Sequence, residues 1–480
     1  MNQLASYCNT LFQAEGISLY RFCNTHNLER TSIRRLLNGE RLPKEEHFEA
    51  FVHALSITSA EADTLRQFYQ REKIGPVSYD NRIFIKKLLE EIGEEHHFHF
   101  IREPHSQHFD LQLKDMAAAT DIHNFKEIQY LIHILFTTAK YFIYSNISVD
   151  HPQLFKVLQQ SFYEKNTSVP FFHLFTMLKK SSLQHNSNYN LNIFTSVIPL
   201  SFQTNSVYYP LYAYGYPVAE NDCTPFPYYV LTSDYLLLID LEGKEAILSS
   251  DPALIRSYQK QCEKIQARSK HLIMHSNDLI QSLKMHSSAA SMDPSVTLAY
   301  TFDFFPCLFQ IYSRELFAPR IKPAYRENSA LMQIVDETSN NIKQFTVYEA
   351  FVVYEGLVNF AKTGILADSL DFILDPFHKE ERRTILEKLK NACIDGSYHL
   401  HILPKNYFLN TPQINIELYN NHQISLISLN QQHLFSRINL SENSIYDSFV
   451  DYFEGLSKQP DVTSAKHSAK IIQDIIVKYL

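Results

Sequence analysis

The sequence predicts a mainly α chain with an α+β part: a five-helix N-terminal domain, a helical middle region, and C-terminal modules built of a strand meander plus a helix. Three observations lead there. Residues 1–75 repeat apolar positions at helical spacing between the breakers Gly16, Asn27, Gly39 and Gly75. The segments PYYVLTSDYLLLIDLEGKEAILSSD (227–251) and INIELYNNHQISLISLNQQHLFSRINL (414–440) have strand composition broken by turn residues. Glycine is scarce, 10 in 480 residues against 29 Tyr and 34 Phe, which suits long helices and aromatic-packed sheets and argues against glycine-rich nucleotide-binding loops. That length implies two or three cores, and 45% hydrophobic content is enough to fill them.

In the N-terminal part, Leu4, Cys8, Leu11 and Phe12 mark a first helix over 3–14. Gly16 ends it and Ser18 caps a second, LYRFCNTH. Asn27 makes the turn into ERTSIRRLL, a third helix closed by Asn38-Gly39. Phe48, Phe51, Val52 and Leu55 define a fourth, and AEADTLRQFYQRE a fifth. Five short helices with a tight turn between the second and third follow the helix-turn-helix plan. This domain is placed at 1–73.

A linker with a short helix (RIFIKKLLEEIG) follows over 74–110, with Gly75-Pro76 as its joint. Residues 111–188 read as a helical region with FKEIQYLIHILFTTAKYF, PQLFKVLQQSFY and PFFHLFTMLKK as candidate helices. Residues 189–275 form a strand-rich module with a turn at Glu242-Gly243, closed by a helix that Asp251 caps and Pro252 opens. Residues 276–480 hold a helical segment, a helix opened by Asp375-Pro376, a second strand-rich module, the amphipathic SENSIYDSFVDYFEGL, and C-terminal helices. The two strand-rich modules look related in plan.

ISLYRFCNTHNLERTSIRRLLNGERLP resembles, position by position, the helix-turn-helix domains of phage-repressor and Cro-type regulators, the xenobiotic-response-element family. Ser18, Asn27-Leu28, Thr31-Ser32-Ile33 and the run Asn38-Gly39-Glu40-Arg41-Leu42-Pro43 fill the family's places over about 70 of the 480 residues. The resemblance implies double-stranded DNA as partner. It assigns base contact to Arg30, Thr31 and Arg35, with Arg34 reaching a base or a phosphate. Ser18, Asn38 and Arg41 are assigned to backbone phosphates. Many members have a Gln where this chain has Leu19, so either Tyr20 or Arg21 takes that phosphate contact or the local docking differs. The residue types agree: Ile33, Leu36 and Leu37 share one helix face, while the other carries three guanidiniums and a hydroxyl suited to a major groove.

Charge is divided accordingly. Residues 1–75 balance nine Lys/Arg against nine Asp/Glu, so the net charge of −8 resides in the remainder. The start lacks a signal-peptide pattern, and the most apolar run, 130–144, is interrupted by His133 and Lys140. A soluble, cytoplasmic protein with no membrane partner is expected.

Other chemistry is weakly signalled. The six cysteines, Cys8, Cys23, Cys223, Cys262, Cys307 and Cys393, include no CxxC pair and read as buried reduced thiols. EEHHFHFIREPHSQH (94–108) places His97 and His99 on one strand face as a metal pair, but a solvated connector is the simpler reading of the cluster His96 to His108. Tyr208, Tyr209, Tyr212, Tyr214 and Tyr216 read as sheet core before pocket lining. No GxSxG, HExxH, HxK-plus-Asp or GxxxxGK[ST] pattern occurs. Hence no catalytic residue, no metal ligand and no cofactor is assigned, and the chain is not expected to be an enzyme. The expectation is a homodimeric, sequence-specific transcriptional regulator whose large C-terminal region dimerises and senses a small-molecule, peptide or protein effector. The alternative is an effector or enzyme, for example in phage response, that uses the helix-turn-helix for targeting or autoregulation.

Overall fold

The computed structural model describes residues 2–93, 119–165, 168–179, 188–203, 207–218, 224–276, 278, 281–282, 298–311, 313–343, 347–366, 371, 373–410, 414–429, 435–459 and 461–480. The histidine-rich stretch 94–108 and Cys223 lie outside them. Residue contacts divide the chain into two compact units, Met1–Phe84 and Ile85–Leu480.

The first unit contains α1 (Gln3–Ala14), α2 (Leu19–Thr25), α3 (Arg30–Leu37), α4 (Glu45–Ala54) and α5 (Ser59–Ile74), and α6 (Pro76–Gly93) starts within it. Its core is the apolar set read from the sequence: Leu4, Cys8, Phe22, Ile33, Leu36, Phe48 and Phe51 pack together with Leu65 and Tyr69. Local chemistry sets the helix limits. Ser18 Oγ accepts the Arg21 amide at the start of α2, and Thr58 and Glu61 form a reciprocal capping box at the start of α5. Asn27 and Gly39 sit at positive φ (51° and 72°), so the chain can turn sharply after α2 and α3. After α3 the Glu40 amide bonds to Arg35 O and the Gly39 amide to Leu36 O, the double closure of a Schellman motif. Gly75, at φ 100°, is the whole break between α5 and α6: the expected joint is one residue long, and the expected short helix begins at Pro76.

In the second unit two sheets follow one plan. The first comprises β1 (Ala119–Ile122), β2 (Ile143–Ser145), β3 (Phe171–Met177), β4 (Tyr208–Tyr214), β5 (Tyr228–Thr232), β6 (Leu236–Ile239), β7 (Ala246–Ser249) and β8 (Lys270–His271), in the order β1-β7-β6-β5-β2-β3-β4-β8. The second comprises β9 (Met274–Ser276), β10 (Leu298–Asp303), β11 (Val347–Val353), β12 (His399–Leu403), β13 (Ile414–Tyr419), β14 (Gln423–Leu429) and β15 (Phe435–Leu440), in the order β9-β15-β14-β13-β10-β11-β12. Each has three successive parallel strands, β2-β3-β4 or β10-β11-β12. The first of these pairs antiparallel with a three-strand meander, and the last meander strand pairs with the strand that opens the module. The related plan expected for two strand-rich modules therefore extends to seven strands of each sheet, with β8 beside β4 as the strand that has no counterpart among the described residues.

Helices connect and cover the strands. α7 (Phe125–Thr138), α8 (Pro152–Lys165) and α9 (Tyr189–Gln203) link β1 to β4, and α10 (Pro252–Arg268) follows the meander, its N-terminus capped by Asp251 as expected. In the second copy α11 (Ser329–Ile342), α12 (Tyr354–Thr363) and α13 (Lys379–Asp395) lie between the parallel strands, and α14 (Asn443–Leu456) and α15 (Ala465–Tyr479) close the chain. α13 is opened by a His378–Glu381 capping box, three residues later than the expected Asp375-Pro376 start.

One helix assignment is corrected. PFFHLFTMLKK is β3, and the region 111–188 combines α7 and α8 with β1, β2 and β3. β3 is buried on both faces, so it reads as an unbroken apolar run that helical and strand periods fit equally. The parallel strands β10 and β11 likewise stand inside what was read as the helical segment opening 276–480. The tyrosine cluster divides: Tyr208 and Tyr212 are sheet core on β4, while Tyr216 is 77% exposed. The copies are joined by polar bonds, Tyr214 Oη to Glu442 Oε1 at 2.6 Å and Asn190 Nδ2 to Ser444 Oγ at 2.9 Å, and by the Phe194–Phe449 ring contact. No described helix is long and apolar enough to cross a membrane.

Candidate nucleic-acid interface

The amphipathic α3 explains the local geometry. Ile33, Leu36 and Leu37 are 1%, 2% and 7% exposed and sink into the bundle core. The remaining positions must therefore face outward, and Arg30, Thr31, Arg34 and Arg35 are all exposed. Burial of one face thus holds three guanidiniums and a threonine in one array on the other.

Neighbouring elements fix that array. Asn9 Nδ2 on α1 donates to the Leu37 carbonyl at 2.5 Å and to the Ala5 carbonyl at 2.8 Å, tying the last turn of α3 to α1. Gly39 lets the chain turn away beside α1 because its φ of 72° is one that side-chain-bearing residues rarely adopt. At the start of α3 the Arg30 guanidinium lies over the Tyr20 ring, 5.6 Å from its centroid, and Tyr20 itself is 61% exposed.

The electrostatics differ within the bundle. The cations of α5 are engaged by acids of α4, α5 and α6: Arg66 with Glu49 and Asp63, Arg71 with Asp80 at 2.8 Å, Lys73 with Glu45 at 2.7 Å. Among the described residues, no carboxylate lies within salt-bridge distance of Arg21, Arg30, Arg34, Arg35 or Arg41. The nearest acid of the loop, Glu40, instead accepts from Asn38 Nδ2 at 2.8 Å. The positive charge of α3 is consequently presented to solvent without a carboxylate partner.

All the residues expected at a DNA surface fall on α2, α3 or the loops that bound them. Ser18, Tyr20, Arg21, Asn38 and Arg41 are exposed as well. Ser18 Oγ is engaged as an acceptor from the Arg21 amide at 3.3 Å, which leaves its hydroxyl proton for an anion. Two residues escaped the sequence reading. Lys44 is exposed and without an ion pair among the described residues, and its signal was one more cation three positions past Arg41. Asn9 positions α3, but no local pattern marks an asparagine that bonds 28 residues away. Elsewhere, among the described residues, no group of three or more His, Cys, Asp or Glu is arranged to hold a metal ion.

No family model matches the chain, and no curated protein sequence matches it. Two solved structures show a distant likeness. Phosphatidylserine synthase from Haemophilus influenzae Rd KW20 is similar over 77% of this chain and 94% of its own, with a TM-score of 0.25 and 10% identity. TrmBL2, an archaeal chromatin protein described as showing a novel mode of DNA binding, is similar over 33% of this chain and 55% of its own, with a TM-score of 0.22 and 7% identity. Likeness at these TM-scores establishes neither the fold nor the function of this chain.

Proposed function

We propose that the N-terminal unit docks α3 in the major groove of double-stranded DNA and that the protein is a sequence-specific transcriptional regulator. The observation that carries this reading is the face of α3: three unpaired arginines and a threonine held outward by burial of Ile33, Leu36 and Leu37. Arginine pairs with guanine through two hydrogen bonds, and a threonine methyl contacts thymine. Tyr20, Arg21, Ser18, Asn38, Arg41 and Lys44 flank that face as phosphate contacts. The duplicated second unit supplies dimerisation and sensing, in keeping with its acidic balance. Genome-wide mapping of bound fragments, with wild type and an Arg30/Arg34/Arg35 triple alanine variant side by side, tests this. A shared motif near promoters that the variant no longer occupies supports regulation. Equal occupancy by both proteins overturns the assignment of α3, and occupancy with no shared motif favours a targeted effector.

A further inference from the structure

The three parallel strands of the second sheet end at one edge, and a groove of about 790 Å³ opens there. Phe304 follows β10, Tyr354 follows β11 and opens α12, and Pro404 follows β12. Crevices outside the carboxyl ends of parallel strands are where α/β sheets commonly take ligands, and this volume is within the range of small-molecule sites. The floor is apolar, formed by Val358, Ile402 and Ile471. Its depth depends on a glycine: a Cβ on Gly356 would fall 1.6 Å from the Phe304 carbonyl oxygen, so only glycine lets the first turn of α12 seat against the end of β10.

The rim has the opposite character. Lys362, Lys405 and Lys478 converge on the groove, whereas Glu355 is the one acid among its lining residues. Lys362 Nζ and Lys478 Nζ each lie over the Tyr479 ring, 5.1 and 5.2 Å from its centroid. None of the three lysines has a carboxylate within salt-bridge distance among the described residues. In a chain of net charge −8, three lysines without a carboxylate partner thus line one groove together with apolar residues and two tyrosines. Lysine binds phosphate as a mobile point charge, and flat rings stack on tyrosine.

We infer that this groove is a binding site for a small organic phosphate of nucleotide size, its phosphates held by Lys362, Lys405 and Lys478 and its ring over the apolar floor beside Tyr354 and Tyr479. The inference does not depend on DNA binding, and its test contains no DNA. Full-length protein is titrated with the fluorescent nucleotide trinitrophenyl-ATP, and the bound probe is competed with ATP, inorganic pyrophosphate and adenosine. Saturable binding is expected, displaced by ATP and by pyrophosphate and at least tenfold less well by adenosine. A Lys362/Lys405/Lys478 triple glutamine variant should bind at least tenfold more weakly. Lys405→Glu alone, which leaves the Tyr479 contacts in place, should weaken binding in the same direction. Absence of saturable binding, adenosine competing as well as ATP, or undiminished binding by Lys405→Glu would each overturn the assignment.

Discussion

Arg437 donates from its guanidinium to Glu417 Oε2 at 2.7 Å inside the second sheet, where Arg437 is only 1% exposed. The same nitrogen donates to Ser425 Oγ at 2.8 Å, Nε donates to Asn439 Oδ1 at 3.1 Å, and Tyr419 Oη donates to Glu417 at 3.2 Å. Register explains the meeting, because Glu417, Ser425 and Asn439 stand opposite one another on β13, β14 and β15. Removing one partner leaves the other charged and dry. Arg437→Met should therefore destabilise the second unit by about 3–5 kcal/mol, whereas joining it with Glu417→Leu should recover most of that loss. Urea unfolding followed by tyrosine fluorescence measures both; a single variant as stable as wild type would show that the pair contributes nothing.

Base contact and phosphate contact leave different signatures. Each bidentate arginine–guanine pair discriminates by about 1–3 kcal/mol. Arg35→Ala should narrow the gap between operator and unrelated duplex. Arg41→Ala should weaken binding to all duplexes alike and reduce the salt slope by about one. Titrations on matched and scrambled duplexes across a salt series separate the two, and identical profiles for both variants would remove the distinction.

Two-fold symmetry is the next expectation. One recognition helix covers too little DNA for genomic specificity, so two must act together on an inverted repeat with half-sites about one helical turn apart, or a multiple of it. Light scattering should report a homodimer at concentrations that saturate the operator. Lengthening the half-site spacing in half-turn steps should make affinity oscillate with the helical repeat; a monomer bound at full affinity would contradict the scheme.

His173 gives a pH dependence with a defined sign. It is fully buried on β3, and burial pushes its pKa down to about 3, against the opposing effect of its 2.6 Å bond to the Ile147 carbonyl. Tyr208 Oη, 3.0 Å from Nδ1, completes a neutral ring that donates from Nε2 and accepts at Nδ1. The unfolded chain takes up a proton near pH 6.5, while the native state resists until about pH 3. Stability from this residue is complete above pH 6.5 and falls through that window by about 1.4 kcal/mol per pH unit. His173→Gln should lower the melting temperature at neutral pH yet flatten its decline between pH 6.5 and 4.5. An unchanged slope would show that His173 is not the titrating group.

The N-terminal unit was legible because its signals are local. Apolar spacing fixed α1 to α5, and Ser18, Asn27, Gly39 and Gly75 act within a turn of where they stand. The α3 face needed nothing beyond that spacing, since burying Ile33 and Leu36 dictates where Arg34 and Arg35 point. The meanders were legible too: β13 to β15 are short strands parted by turn residues such as His422, at φ 61°. The parallel strands were not. β3, β10 and β11 pair with partners far along the chain, and FFHLFTM, buried along most of its length, and VYEAFVV carry no clean alternation to announce them. The lysine groove was hidden for the same reason, because Lys362 on α12, Lys405 after β12 and Lys478 on α15 line one groove only through long-range packing of those elements.

A repeated sheet offers its backbone plan twice, yet the bonds at the edge of the first copy make the chain asymmetric. Tyr214 ends β4 and is committed to Glu442, and Asn190, which binds the Leu178 amide just past β3, is committed to Ser444. The edge where β3 and β4 terminate is thus spent on holding the second copy, while the corresponding edge of β10, β11 and β12 stays open. Ligand stoichiometry should follow: one phosphate compound per polypeptide, with the first repeat acting as the frame against which the second does its binding.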